Sequence, residues 1–283
     1  MEPNRMGSSS ACSVVARGGE GPLSSIGKEI RMRRILSDGK ALIAAMDHGV
    51  SSGPVSGLED IRKAVANVAK GGATAVVLHK GSVRFAKEYF DEKLALILHL
   101  SASTSLSPRS DRKVAVARVE EAVSYGADAV SVHVNLGGED DDRMIEDLGT
   151  AATDCDRLGV PLLAMMYPRG PAIRNPEDVD VVKHAARVGA ELGADLVKTT
   201  YTGSTETFRE VVRGCPVPVV VAGGPKLDST RSVFEMVAGA LAAGAVGVSM
   251  GRNLFQSKDS IGMTRAIARM VFEGASIDEV YHG

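Results

Sequence analysis

LEDIRKAVANVAKGGATAVVLHKG, residues 58–81, reads as a helix running into a buried strand, and the rest of the chain repeats that pattern. Ile61, Val65, Val68 and Ala69 share one helical face, so the first half packs as an amphipathic helix. Gly72 suits a left-handed helix C-cap and Ala73 lets the following chain tuck close. The strand that follows is apolar without alternation, which marks a strand covered on both faces, as in parallel sheets.

Seven further runs have this character: ALIAAMDHG (41–49), LALILHLSAS (94–103), AVSVHVNLG (129–137), PLLAMMYP (161–168), LVKTTY (196–201), PVVVAGG (218–224) and GVSMGRN (247–253). Gly126-Ala127, Gly193-Ala194 and Gly244-Ala245 repeat the Gly-Ala launch before the fourth, sixth and eighth runs, while Pro161 and Pro218 precede the fifth and seventh. Eight strands alternating with helices over this length predict an α/β fold, a single (β/α)8 TIM barrel over residues 26–283. The short link after the second run predicts a stunted helix there. A doubly wound open sheet is the competing architecture. It needs a reversal of strand order and usually a GxGxxG turn, where this chain has DHGVSSGP after the first strand.

Composition narrows the function classes. Thirty-three basic against 35 acidic residues give a net charge of −2, which argues against a binder of nucleic acid or acidic membrane driven by bulk charge. Cys12, Cys155 and Cys215 form no CxxC pair, so neither a disulfide framework nor a structural zinc site is expected, and a reducing cytoplasm is the expected location. The first 25 residues, rich in Ser, Gly and Arg, read as a mobile tail without a signal-peptide core. The charge-free run between Glu235 and Arg252 is interrupted by glycine and too short to span a membrane.

In a TIM barrel the C-terminal ends of the strands build the active site. Those ends carry Asp47 and His48; His79 and Lys80; His99 and Ser101; His133 and Asn135; Tyr167 and Arg169; Lys198, Thr200 and Tyr201; Gly223, Gly224 and Lys226; and Gly251 and Arg252. Lys198 sits inside an apolar strand, where a charged amine loses hydration at a cost of several kcal/mol unless paired. Burial favours the uncharged amine, the form that attacks a carbonyl to make a Schiff base. A lysine reaching the rim, or holding a structural carboxylate, is the other reading, and Lys80 is a rival imine former. Tyr167 can shuttle protons and Asp47 can accept one, although each also fits a purely structural role. The glycines of VAGGP and SMGRN expose backbone N–H groups where such barrels commonly seat phosphate. Arg252 adds a two-pronged contact, and a short helix, NLFQSK, is expected just after it. His48, His79, His99 and His133 could gather around zinc, but the first strand lacks HxH and a lysine occupies the middle of the site; no metal is expected.

Taken in order, MDHGVSSGP, LHKGSVR, VSVHVNLG, MMYPRG, LGADLVKTTYTG, CPVPVVVAGGPK and VSMGRNLFQ resemble the archaeal-type class I aldolase family from about Ile26 to Val280. The resemblance implies a barrel enzyme, usually a homo-oligomer, that needs no cofactor and works through a lysine imine. It makes Lys198 the Schiff-base residue, Tyr167 the proton donor and Asp47 the proton acceptor. It makes His48, Gly49, Val50, Ser51, Pro168, Arg169, Gly223, Gly224, Gly251 and Arg252 substrate contacts, the last four around phosphate. The implied substrates are a phosphorylated ketose donor and an aldehyde such as L-aspartate semialdehyde, joined into a precursor of aromatic or aminohydroxybenzoate metabolism; other members cleave fructose 1,6-bisphosphate. Two readings from other classes are a metal-dependent barrel hydrolase and a phosphate-sensing barrel that forms no covalent adduct.

Overall fold

A parallel sheet made of unbroken apolar runs needs cover on both faces, and here the sheet supplies one cover itself by closing. The structure, a computed structural model, describes residues 23–281 except 92 and 228. Its strands are β1 (Ala41–Ala45), β2 (Ala75–Leu78), β3 (Ala95–His99), β4 (Ala129–Leu136), β5 (Leu162–Pro168), β6 (Leu196–Thr199), β7 (Val219–Ala222) and β8 (Gly247–Met250). Each pairs in parallel with its neighbours in sequence, and β1 pairs with both β2 and β8, so the ring is closed. This is the expected TIM barrel, and the open-sheet alternative falls because β1 has no free edge.

The two faces form separate apolar clusters. Ile43, Val77, Ile97, Leu163, Met165 and Val220 point into the barrel, where Ile35 of the N-terminal helix Leu23–Ile35 joins them. Leu42, Leu78, Leu98, Val132 and Val197 point outward, against helical residues such as Val65, Leu148, Phe208 and Val237. The helix after β2 is stunted as expected, a turn at Lys80–Val83 and a 3-10 turn at Lys87–Tyr89. Residues 1–22, most of the stretch read as a mobile tail, lie outside the described residues. The N-terminal helix begins at Leu23, inside the span assigned to that tail.

The Gly-Ala repeat has a backbone cause. Gly72, Gly126, Gly193 and Gly244 all adopt positive φ, from 72° to 104°, which closes each helix before its strand begins. The residue after three of these pairs then accepts a backbone N–H from the preceding strand. Thr74 accepts from Leu42 at 3.2 Å, Asp128 from Leu96 at 2.9 Å and Asp195 from Leu162 at 2.8 Å. Arg34 and Lys28 of the N-terminal helix reach Asp128 and Asp195 at 2.8 and 2.9 Å, tying that helix across the N-terminal end of the barrel. Polar groups at this end are thus engaged in holding strands together.

Cys155 and Cys215 are free and buried, and burial pushes the Cys155 thiol up to about 12, which leaves it inert as a nucleophile. Cys12 lies outside the described residues. No helix among the described residues is long and apolar enough to cross a membrane.

Candidate active site

Side chains alternate along a strand, so each inward apolar residue is followed two positions later by another inward residue. Near the C-terminal ends of the strands that step lands on polar groups: Val77 leads to His79, Ile97 to His99, Met165 to Tyr167 and Leu196 to Lys198. On β4 it passes through buried Ser131 to His133 and Asn135. Asp47 follows Ala45 by the same step, beyond the end of β1. Six of the eight strands therefore aim chemistry into one mouth.

Lys198 is only 6% exposed, its Cα in register with Met165 on β5 and Val220 on β7. Thr199, the next residue, points outward and donates its hydroxyl to the Met166 carbonyl at 2.9 Å, which fixes the strand's rotation. Across the mouth, Asp47 Oδ2 lies 3.7 Å from His99 Nε2 and Oδ1 lies 3.8 Å from His48 Nδ1. Burial alone would raise the Asp47 carboxyl. The facing groups, His99 first, then His48, Lys198 and His79, outweigh it and hold the carboxyl well below the usual carboxylate range.

The histidines go the other way. Burial pushes His99 down to about 4 and lowers His48, His79 and His133 as well, so each is neutral at pH 7. His99 is locked by Ser131 Oγ at 2.8 Å from its Nδ1 and by the His79 ring, edge-on at 5.1 Å. His133 packs on Tyr167, ring centroids 4.8 Å apart, and its Nε2 meets Asn135 Oδ1 at 2.9 Å. The Asn135 amide nitrogen donates to the Asp111 carbonyl, so its oxygen faces the imidazole and the His133 proton sits on Nε2. Among the described residues no group of three or more His, Cys, Asp or Glu is placed to hold a metal ion.

The glycine cradle lies between β7 and β8. A side chain on Gly251 would meet the Ala45 carbonyl at 2.4 Å and the His48 ring at 2.5 Å, and one on Gly223 would meet Met250 at 2.4 Å. Arg252 donates to the Gly224 carbonyl at 3.0 Å, and its Nε is buried without a partner among the described residues. The helix expected after Arg252 is a single turn, Arg252–Phe255, which starts one residue earlier. So few aligned peptides add little dipole, which leaves the glycine backbone and the guanidinium as the groups able to meet an anion here. Asp47 Oδ1, His48 Nδ1, Ser249 Oγ and Arg252 Nε, all at the β1–β8 side of the mouth, are buried without hydrogen-bond partners among the described residues.

The remaining candidates divide. Pro168 is buried at the end of β5, and Arg169 stacks over Tyr167 at 5.8 Å from the ring centroid. Gly49, Val50 and Ser51 belong to a single short helix, His48–Ser52, with Gly49 and Val50 exposed. Lys80 turns away to Glu121, 2.9 Å from its carboxylate, and does not enter the mouth. Tyr201 is also not a mouth residue: one step past Thr200, it has outward parity and packs on Phe208, ring centroids 5.3 Å apart.

Comparison with known proteins agrees with the barrel fold. Residues 41–257 match the family described as DeoC/LacD family aldolase. The chain belongs to the DeoC/LacD aldolase family. A 2-amino-4,5-dihydroxy-6-oxo-7-(phosphonooxy)heptanoate synthase of Streptomyces griseus is 42% identical, covering 88% of this chain and 92% of that one. A 2-amino-3,7-dideoxy-D-threo-hept-6-ulosonate synthase of Archaeoglobus fulgidus is 44% identical, covering 90% and 95%. Among solved structures, a Schiff base forming fructose-1,6-bisphosphate aldolase superposes with a TM-score of 0.80 at 35% identity, over 87% of this chain and all of that one.

Two buried polar residues of this aldolase went unread in its sequence. Asn253 donates to the Gly223 and Pro225 carbonyls at 2.7 and 3.1 Å and accepts from Leu227 N at 3.0 Å, which shapes the loop carrying the cradle. Its position directly after Gly-Arg was the available signal. Lys113 comes from a ribbon that no periodicity announces.

The neutral histidines give the aldolase a testable acid sensitivity. Below about pH 6.5 the unfolded chain protonates His99, while the folded chain keeps it neutral down to about 4. Unfolding then takes up a proton, so stability falls as pH drops through this window, by up to ~3 kcal/mol for His99. Urea midpoints of His99→Asn are expected to change less between pH 6.5 and 4 than those of the wild type. Parallel curves would contradict the assignment.

Proposed function

We propose that this aldolase forms an imine between Lys198 and a phosphorylated ketose and adds the derived carbon nucleophile to L-aspartate semialdehyde. The product is a seven-carbon 2-amino keto acid that serves as an aromatic precursor. The observation that carries the proposal is the buried Lys198 amine on the inward face of β6, facing Asp47 across the mouth with a glycine cradle on the adjoining strands. The names of both curated relatives describe seven-carbon amino acids.

The Lys198 amine attacks the ketone carbon, and the carbinolamine loses water to give an iminium. Cleavage of the adjacent carbon–carbon bond, or loss of an adjacent proton, sends its electron pair into the iminium and leaves an enamine. The enamine carbon bonds to the aldehyde carbon, and the oxygen that becomes alkoxide takes a proton from Tyr167. Water then hydrolyses the new iminium and frees the amine. Asp47 accepts the proton moved at the carbinolamine or substrate hydroxyl. Gly223, Gly224, Gly251 and Arg252 hold the donor phosphate, with His48 to Ser51, Pro168 and Arg169 completing the substrate contacts.

A second donor reading has its own support. The Streptomyces relative's name keeps a phosphate on carbon seven, which fits dihydroxyacetone phosphate joined whole to the acceptor. Borohydride reduction with dihydroxyacetone phosphate, followed by peptide mass mapping, tests the imine, with the adduct expected on Lys198. An adduct on Lys80, or none with any ketose phosphate, overturns it. Product mass with aspartate semialdehyde shows whether the three-carbon unit added keeps a phosphate, as in the Streptomyces relative's name, or lacks one, as in the Archaeoglobus relative's name. A homo-oligomer, which the family resemblance implies, belongs to the same proposal and is read from solution mass.

A further inference from the structure

The cradle at β7 and β8 accounts for one anionic group, and a second basic site faces it across the ring. The chain between β3 and β4 folds back as an antiparallel ribbon, Ser101–Ala102 with Val114–Ala115. Lys113 leads into its returning strand. The ribbon is fastened to the floor of the mouth. Ser101 Oγ accepts from the His133 backbone N–H at 3.1 Å, and Val116 N donates to the Leu100 carbonyl at 2.8 Å. Just before Lys113, the Asp111 carbonyl accepts from Asn135 at 2.5 Å.

Lys113 is 8% exposed, and its amine donates to Ser103 Oγ at 2.5 Å. Among the described residues that neutral hydroxyl is its one hydrogen-bond partner, which under-compensates a buried ammonium for its lost hydration. Arg169 stands nearby on the same side, its guanidinium over the Tyr167 ring and 3.9 Å from the Asp111 carboxylate. That carboxylate is 61% exposed and so well hydrated, and among the described residues no carboxylate lies within ion-pair distance of the Lys113 amine. Burial, and then Arg169, lower the Lys113 amine, while Asp47 and Asp111 oppose them.

In the closed ring β4 lies opposite β8, with β6 between them on one side. A donor whose phosphate rests at β7 and β8 therefore presents its reacting carbon to Lys198 on β6 and directs the incoming aldehyde toward β4, β5 and the ribbon. We propose that Lys113, with Arg169 beside it, anchors the anionic end of the acceptor aldehyde and so selects charged acceptors over neutral ones. This rests on the imine reading of Lys198 and adds the acceptor's binding group to it. The shared chemistry is a carboxylate or phosphate carried a few bonds from the aldehyde.

The test compares kcat/KM, with saturating donor, for aspartate semialdehyde, glyceraldehyde 3-phosphate and uncharged propionaldehyde. Lys113→Met is expected to lower the preference for charged over neutral acceptor by ~10-fold or more, through KM, with Lys113→Arg recovering most of it. Loss confined to aspartate semialdehyde assigns the site to carboxylate, loss confined to glyceraldehyde 3-phosphate assigns it to phosphate, and loss for both assigns it to anions generally. An unchanged preference, an equal fall for charged and neutral aldehydes, or a wild type without preference overturns the proposal. The preference is a ratio within one protein, and Lys113→Gln, which can still donate to Ser103, substitutes if the methionine variant does not fold. Borohydride trapping with donor alone, on the wild type, scores the imine separately: its failure sinks the imine reading, whereas an unchanged ratio with trapping intact sinks only the anchor.

Discussion

Lys198→Met is expected to abolish borohydride-dependent labelling by the ketose donor and to lower kcat by on the order of 10⁴-fold or more. A covalent route splits one difficult step into easier ones, and removing the nucleophile closes that route while leaving the binding groups in place. Methionine keeps the stem's volume against Met165 and Val220, so the barrel interior stays filled. Far-ultraviolet dichroism and the unfolding transition should therefore report an intact fold. Lys80→Met is the control, because Lys80 meets Glu121 in a part-exposed pair that water screens. It is expected to retain labelling and turnover. Labelling that survives in Lys198→Met and vanishes in Lys80→Met would reverse the two roles.

The inward positions were legible because a strand has a period of two. Once LVKTTY is a strand and Leu196 faces in, Lys198 faces in, and the same step assigns His79, His99 and Tyr167. Tyr201 was misplaced by ignoring that parity one residue further on, where it selects Phe208 as partner. Lys113 was not legible, since each strand of its ribbon has two residues and Val114 and Ala115 are exposed, leaving no pattern to read. Asn253 was hidden by its role. It acts on carbonyls about 30 residues away, a contact that local spacing does not encode. The strand-bridging oxygens of Thr74, Asp128 and Asp195 were in reach, because each follows a Gly-Ala pair, but only closure of the ring shows which N–H they meet.

The two ends of the barrel differ in how completely they satisfy their polar atoms, which supports the proposed site at the mouth. At the N-terminal end Asp128 accepts a strand N–H and meets Arg34, and Asp195 does the same with Lys28. At the other end four buried polar atoms on or beside β1 and β8 lack partners among the described residues, each at a cost of ~1–3 kcal/mol. A fold tolerates such atoms where a ligand is to meet them.

Asp47→Asn carries the second large effect. The substitution is isosteric, leaves the backbone at the His48–Ser52 helix unchanged, and removes a base held ionised through the physiological range. Loss of a positioned general base is expected to lower kcat by ~10²–10⁴-fold. Asp47 also supplies the main charge that raises His99, His48 and His79 against their burial, so all three become harder to protonate in the variant. Their folded values then lie further below those of the unfolded chain, and the acid loss of stability between pH 6.5 and 4 deepens. Lys198 is among the groups that hold Asp47 ionised, so Lys198→Met alone leaves the buried carboxylate less compensated. A double-mutant cycle of Asp47→Asn with Lys198→Met, read by urea unfolding at pH 7, is expected to give a coupling energy of ~1 kcal/mol or more, the double variant being more stable than the single effects sum to. Additive effects, or an Asp47→Asn enzyme within ten-fold of wild-type turnover, would mean that this carboxylate neither balances the amine nor moves its proton.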